Sequence, residues 1–356
     1  MEFQHVKITG GDAFERGRQH GEFARANIER GLRHYQDLFE HEQHVSWKAV
    51  REKAMAFVEP LEKDYEDLLD EVRGIGAGAG IDFEDMMVLN TRYELLKFPI
   101  QECTSFSLLS AATQNGHVYV GMNWDNLEWM RDSALLMTVD EGNGMRYFCM
   151  TEAGQLVRHG FNSFGIGITT NNLESTGDKD QPGVPTNFMR RRVLTSHSLQ
   201  EAVDSVRRAF RSVSCNLMIA SAENDACDME VNPVRAIEMK PYNGILTHAN
   251  HFALGMDIER DSGLHFRDER LRSLFAGRSR ELEPEGIMAC LKDHYKKSDH
   301  SHEAICKHTP LEHEDMYGNR ANASVTIASQ IYDLTDRVAY ICCGTPCTGT
   351  YREYKL

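Results

Sequence analysis

Cys103 lies in Glu102-Cys103-Thr104-Ser105-Phe106, at the head of a strand-like run from Thr104 to Ala112. An Asn115-Gly116 pair follows, and the chain returns as His117-Val118-Tyr119-Val120-Gly121-Met122-Asn123-Trp124-Asp125. Thiolate is the reactive form of cysteine, and a free thiol with a pKa of about 8.5 is mostly protonated at neutral pH, so a cysteine nucleophile needs a base or a cation beside it. A cysteine that leads its own chain carries such a base in its α-amine, whose pKa is about 7.7–8.0. Reaching that state requires cutting the Glu102–Cys103 bond. The same thiol can do this by attacking the carbonyl of Glu102, moving the acyl group from nitrogen to sulfur and leaving a thioester for water to hydrolyse. Two alternatives stand beside this reading: Cys103 as a buried small apolar residue, and an uncut thiol enzyme or ligand-binding protein in which His159 or His251 serves any base role.

The elements around the thiol decide which residues can meet it. Asn-Gly is a strong hairpin signal because both residues tolerate the positive φ of a type I′ turn. With a two-residue loop, Cys103 falls opposite Glu128 and Asp125 opposite Phe106, an offset of roughly 10 Å that a bulge or longer loop would close. Upstream, Phe57, Leu61, Tyr65, Leu68, Leu69 and Val72 form one helical stripe over residues 47–73, and Gly74, Gly76, Gly78 and Gly80 stop it. Asp82 is placed to cap a helix running from Phe83 to Leu96, which Pro99 closes. From Cys103 onward strands and tight turns dominate, with helices at 187–210, 266–275 and 287–294 and two final β-rich runs at 323–332 and 337–343. This order indicates layered sheets and helices in an α+β fold. It divides the chain at Glu102-Cys103 into a helical segment 1–102 and a strand-rich segment 103–356, packed as one unit.

Composition narrows the function. The 356 residues are 41% hydrophobic and 26% charged, enough for a substantial core, and the net charge of -15 argues against a nucleic-acid partner. Arg190-Arg191-Arg192 is the densest basic cluster and falls in a helical pattern, as a solvated face or a local anion contact would. No secretory signal and no membrane-spanning apolar stretch is visible, and nine irregularly spaced cysteines suggest reduced thiols in the cytoplasm. His300, His302, Cys306 and His308 fit no standard zinc spacing and read as a solvated polar loop, with His248 and His251 as the remaining nearby imidazoles. Cys342, Cys343 and Cys347 lack a C-x-x-C arrangement and read as buried strand and turn cysteines. No metal and no cofactor is expected.

Six segments in order resemble a known family. Gly11-Asp12-Ala13-Phe14-Glu15-Arg16-Gly17 with His20-Gly21, Glu71-Val72-Arg73-Gly74-Ile75 with Leu89-Asn90-Thr91-Arg92-Tyr93-Glu94, Cys103-Thr104-Ser105, Asn123-Trp124-Asp125, His248-Ala249-Asn250-His251-Phe252, and the late pair Ile305-Cys306-Lys307-His308 and Thr326-Ile327-Ala328-Ser329 are similar to motifs of the acyl-coenzyme A:6-aminopenicillanate (isopenicillin N) acyltransferase-like group of N-terminal-nucleophile hydrolases. The resemblance implies a four-layer αββα sandwich and self-cleavage before Cys103 into an α chain and a β chain that stay together. It further implies an acyl-Cys103 intermediate, with Asp125 orienting amine and thiol and Asn250 donating to the oxyanion. Thr104, Trp124 and Arg320 are the implied substrate contacts, and the substrate is a small amide or acyl-thioester. Homo-oligomerisation is left open. Two positions depart from the pattern: Ala323 stands where the penicillin-forming member has arginine, and Glu102 precedes the nucleophile where a glycine is usual.

Overall fold

The computed structural model describes residues 2–96, 103–254, 266–278, 281–295, 304–308 and 324–356. Two sheets face one another. The first orders its strands β1-β4-β5-β6-β7-β8-β9-β10, with β1 at Gln4–Thr9, β4 at Ala134–Asp140, β5 at Arg146–Glu152, β6 at His159–Asn162, β7 at Ile166–Asn172, β8 at Cys215–Ser221, β9 at Asp225–Val231 and β10 at Ala236–Met239. The second orders them β11-β2-β3-β12-β13-β14, with β2 at Thr104–Leu108, β3 at Tyr119–Leu127, β11 at Ile245–His248, β12 at Ser324–Asp333, β13 at Val338–Cys343 and β14 at Tyr351–Lys355. Strands β2 and β3 pack on β7 and β8, so the inner faces of the two sheets share one core that includes Val120, Met122, Trp124 and Met218.

Helices close both outer faces. On the side of the first sheet lie α1 (Ala13–Asp37), α2 (Trp47–Met55), α3 (Val58–Leu61), α4 (Glu66–Ala79), α5 (Phe83–Leu95), α7 (Thr186–Leu194) and α8 (Leu199–Arg208), while the short α6 (Met130–Ser133) bridges α1 to the ends of β3 and β12. Over the second lie α9 (Arg267–Ala276) and α10 (Pro284–Leu291), which bury Leu271, Phe275, Ile287 and Leu291 against Phe106, Leu108 and Tyr119. The result is the αββα sandwich expected. None of the described helices is long and apolar enough to cross a membrane.

Several sequence expectations need correction. The stripe over 47–73 is divided among α2, α3 and α4, and the glycines do not stop α4: it runs through Gly74, Gly76 and Gly78 and ends at Gly80, where φ is 67°. Those glycines let two helices touch backbone to backbone. A Cβ on Gly74 would sit 2.0 Å from the carbonyl oxygen of Phe14, and one on Gly17 would sit 2.0 Å from that of Glu71. The first hundred residues also contribute a strand, since β1 pairs in parallel with β4. Asp82 does occupy the N-cap of α5, yet its carboxylate pairs with Arg51 at 2.9 Å instead of capping. The basic cluster is no solvated face: Arg190 and Arg191 are buried, Arg191 bonding Glu71 at 3.1 Å and Glu141 at 2.7 Å, while Arg192 reaches Asp67 at 2.5 Å.

Polar side chains of the first segment stitch it to the first sheet. Glu152 is fully buried and receives Tyr35 Oη at 2.5 Å, Arg158 Nη1 at 2.6 Å and Arg92 Nη2. Asn90 donates to the carbonyls of Met86 and Gly154 and accepts from the amide of Leu156, so each of its three bonds fixes backbone. His20 accepts from the Gly154 amide at 3.2 Å; burial lowers its pKa to about 4, which keeps the ring neutral for that role.

Candidate active site

The hairpin that carries Cys103 differs from the tight turn expected. Thr104 pairs with Asn123 and Leu108 with Tyr119, so residues 109–118 form a wide connection, and only Gly116 of the Asn-Gly pair takes a positive φ, 75°. The connection is wide because Leu109 donates its amide to Gly244 and Thr113 Oγ1 bonds the carbonyl of His117. That register brings Cys103 level with Trp124 and Asp125, closing the expected offset. The thiol donates to the Asp125 carbonyl at 3.6 Å.

Four segments converge on this strand end. From the loop after β11, Asn250 Oδ1 accepts the backbone N–H of Cys103 at 2.5 Å, while its Nδ2 donates to the Asn172 carbonyl at 3.0 Å. Asn171, at the end of β7 in the facing sheet, donates through Nδ2 to the Cys103 carbonyl at 3.0 Å and accepts from Ser105 Oγ at 2.5 Å. Arg267, the first residue of α9, donates to Asn250 Oδ1 at 3.0 Å and places Nη1 3.5 Å from Asp125 Oδ2. Thr326 of β12 donates its hydroxyl to Asp125 Oδ1 at 2.6 Å and accepts the Lys307 amide at 2.8 Å. Cys103, Asp125 and Asn250, scattered over nearly 150 residues, thus meet in space. Sequence reasoning missed Arg267 and Asn171. Nothing marks Arg267 among the 39 basic residues, and Asn171 carried a faint signal as half of an Asn-Asn pair ending a strand.

The electrostatics follow from burial. Asp125 is fully buried, which raises its pKa; Arg267 and the Thr326 hydroxyl pull it back, leaving it at about 7. The Cys103 thiol is pushed up to about 12, first by burial and then by the Asp125 carboxylate, with Arg267 and Arg190 opposing. Desolvation disfavours the charged form of each group, so in the continuous chain the sulfur is held as a thiol. The histidines weighed as bases face elsewhere. His159 approaches Gln330 at 3.4 Å and meets Trp124 edge-on at 5.8 Å, and His251 pairs with Asp268 at 3.6 Å.

Of the other site expectations, Thr104 and Trp124 are both fully buried, and the Trp124 ring is covered by the Arg158 guanidinium at 4.5 Å, so neither presents surface to a cleft. Glu102, Arg320 and Ala323 lie outside the described residues.

Residues 111–347 match the family model described as acyl-coenzyme A:6-aminopenicillanic acid acyl-transferase, a span that opens just after Cys103 and contains Asp125, Asn250 and Arg267. The chain is 26% identical over 253 residues to the acyl-coenzyme A:6-aminopenicillanic-acid-acyltransferase 40 kDa form of Emericella nidulans, covering 70% of this chain and 70% of that protein. Two solved structures are similar at 11% identity. A variant of conjugated bile acid hydrolase from Clostridium perfringens gives a TM-score of 0.48 over 71% of this chain and 97% of that one. Penicillin V acylase from Agrobacterium tumefaciens gives 0.48 over 71% of this chain and 86% of that one.

Proposed function

This chain belongs to the acyl-coenzyme A:6-aminopenicillanic acid acyl-transferase family, and from that premise we propose that it is an N-terminal-nucleophile enzyme that cuts itself before Cys103 and then turns over small amides or acyl-thioesters through an acyl-Cys103 intermediate. In the cut, Cys103 Sγ attacks the carbonyl carbon of Glu102, the C–N bond breaks as the proton passes to nitrogen, and water hydrolyses the resulting thioester. The freed α-amine then takes the thiol proton as the sulfur attacks a substrate carbonyl. Tetrahedral collapse expels the amine or thiol of the substrate, which leaves with that proton. Water, activated by the same amine, releases the acyl group.

One observation carries this reading: the backbone nitrogen of Cys103 already has a polar partner in Asn250 at 2.5 Å, while the sulfur's neighbour is an acid's backbone and no imidazole. Asn250 Oδ1 accepts from the nitrogen that would become the ammonium, and Arg267, bonded to that same oxygen and 3.5 Å from Asp125 Oδ2, supplies positive charge beside it. Asn250 Nδ2 spends one N–H on the Asn172 carbonyl and has a second to offer an oxyanion, a donor worth about 3–4 kcal/mol in the transition state. Water is the preferred acceptor over a penam amine, because Ala323 replaces the arginine that would grip a substrate carboxylate in a bidentate manner.

Intact mass and denaturing electrophoresis of wild type and Cys103→Ala test the proposal. The 40.5 kDa chain divided in proportion to length gives fragments of about 12 and about 29 kDa for the wild type and one species for the variant. A wild type that stays whole while hydrolysing acyl amides, with Cys103 alkylatable, contradicts it in favour of the uncut thiol enzyme.

A further inference from the structure

Beyond the Cys103 site, three separate segments bring two thiols and two imidazoles together. His294 follows α10, Cys306 and His308 sit on the 304–308 segment, and Cys347 lies in the turn between β13 and β14. One ligand atom from each of the four lies within 4.8 Å of the other three. The edges are short: His294 Nε2 to His308 Nε2 is 3.1 Å, Cys306 Sγ to His308 Nε2 is 3.7 Å, and His308 Nε2 to Cys347 Sγ is 3.1 Å. A tetrahedron with metal–sulfur bonds of about 2.3 Å and metal–nitrogen bonds of about 2.0–2.1 Å has edges of about 3.3–3.8 Å. The group is therefore already near the size of a filled Cys2His2 shell.

The backbone holds this arrangement independently of the four side chains. Cys306 donates its amide to the Asp293 carbonyl at 3.0 Å, which sets it beside His294, and Asn123 Nδ2 binds the carbonyls of Leu291 and Ile305 at 2.9 and 2.8 Å. On the other side, the Gly344 amide bonds the Ile327 carbonyl at 2.9 Å, and Thr345 accepts from Gly349 at 2.9 Å to form the turn that presents Cys347.

We propose that His294, Cys306, His308 and Cys347 bind one Zn²⁺ ion in a closed, four-coordinate structural site. Two thiolates and two imidazoles in tetrahedral proximity select zinc among the common divalent ions, and with all four positions filled by protein the ion keeps none for substrate. Its consequence reaches the first site through one residue. Cys306 and His308 flank Lys307, whose amide bonds Thr326 Oγ1 and whose carbonyl accepts the Thr326 amide at 3.0 Å; Thr326 in turn holds Asp125. The ion braces the strand end on which that carboxylate depends. No sequence spacing announces the site, because its ligands come from three segments up to 53 residues apart, 347 less 294.

The test uses full-length protein stripped with chelator under reducing conditions and titrated with Co²⁺. Wild type is expected to bind one Co²⁺ per chain with intense thiolate-to-cobalt and tetrahedral visible bands that one equivalent of Zn²⁺ abolishes. Zn²⁺ should slow alkylation of Cys306 and Cys347 at least tenfold and leave half-buried Cys343 unchanged. The Cys306→Ser/Cys347→Ser double variant should lose the bands. Wild type without thiolate bands, a double variant that retains them, or unprotected Cys306 and Cys347 in Zn²⁺ would each overturn the proposal. Should the double variant fail to fold, the wild-type titration and protection still decide.

Discussion

Two buried carboxylates, Glu152 and Asp125, are held in opposite ways. Glu152 is gripped by two guanidiniums and a tyrosine hydroxyl, which together tie α1, α5 and the turn after β5 into one block. Asp125 has a single threonine hydroxyl at 2.6 Å and one arginine standing off at 3.5 Å. A carboxylate with matched donors is fixed in charge and place; one that is desolvated with partial compensation exchanges protons near neutrality. The first serves assembly of the sandwich and the second serves chemistry at its edge.

Substitutions can break this contrast. Asp125→Asn keeps the shape and removes the charge that orients the amine and thiol, and turnover per folded molecule is expected to fall about 10²–10³-fold, the range for one lost electrostatic contact in the site; steady-state kinetics on acyl amides measure it. Asn250→Ala is expected to lose about 10²–10³-fold, provided both chains are recovered in normal yield. Glu152→Gln should do the reverse. Leaving Arg92 and Arg158 buried without their acid costs about 3–5 kcal/mol of unfolding free energy, read from urea titration, while the surviving folded molecules work at nearly the wild-type rate.

A pH series sharpens the same comparison. The folded state raises the Asp125 pKa from 3.8 to about 7, so it favours the protonated carboxyl. That contribution is fully present below pH 3.8 and lost as pH rises through about 7. The loss is on the order of a few kcal/mol. In the uncut Cys103→Ala chain, where no new amine faces the carboxylate, stability should therefore decline relative to the Cys103→Ala/Asp125→Asn chain between those values. A flat difference would mean that Arg267 already holds the carboxylate charged throughout.

The smallest effect concerns neither carboxylate directly. Gly74→Ala puts a methyl 2.0 Å from the Phe14 carbonyl and must push α1 from α4. Overpacking of this kind costs about 1–3 kcal/mol. It should appear as a lowered melting temperature with the Cys103 chemistry intact.

How much of this was legible in the sequence depended on locality. The strands from β2 to β13, apart from β6, and the helices α5, α7, α9 and α10 announced themselves through alternation or helical periodicity, both short-range. Strand β1 did not, because Gln4–Thr9 is six residues at an edge that only parallel pairing with β4 makes a strand. The Asn115-Gly116 pair misled for a related reason: a tertiary bond to Gly244, with the local Thr113–His117 bond, outweighed the turn preference and moved the register by four residues. Cys103, Asp125 and Asn250 were readable through motif resemblance. Arg267 was not, since its importance lies in facing Asp125 and Asn250 at once, and the metal-ligand cluster was hidden because sequence spacing grouped Cys306 with His300 and His302 and not with His294 and Cys347.

In the proposed mechanism the working nucleophile is an N-terminal residue. The most direct measurement is top-down mass spectrometry of active enzyme trapped with a slowly released acyl donor. The acyl group is expected on the sulfur of a fragment of about 29 kDa whose first residue is Cys103. An adduct found only on an active 40.5 kDa chain with Glu102 still joined to Cys103 would contradict it.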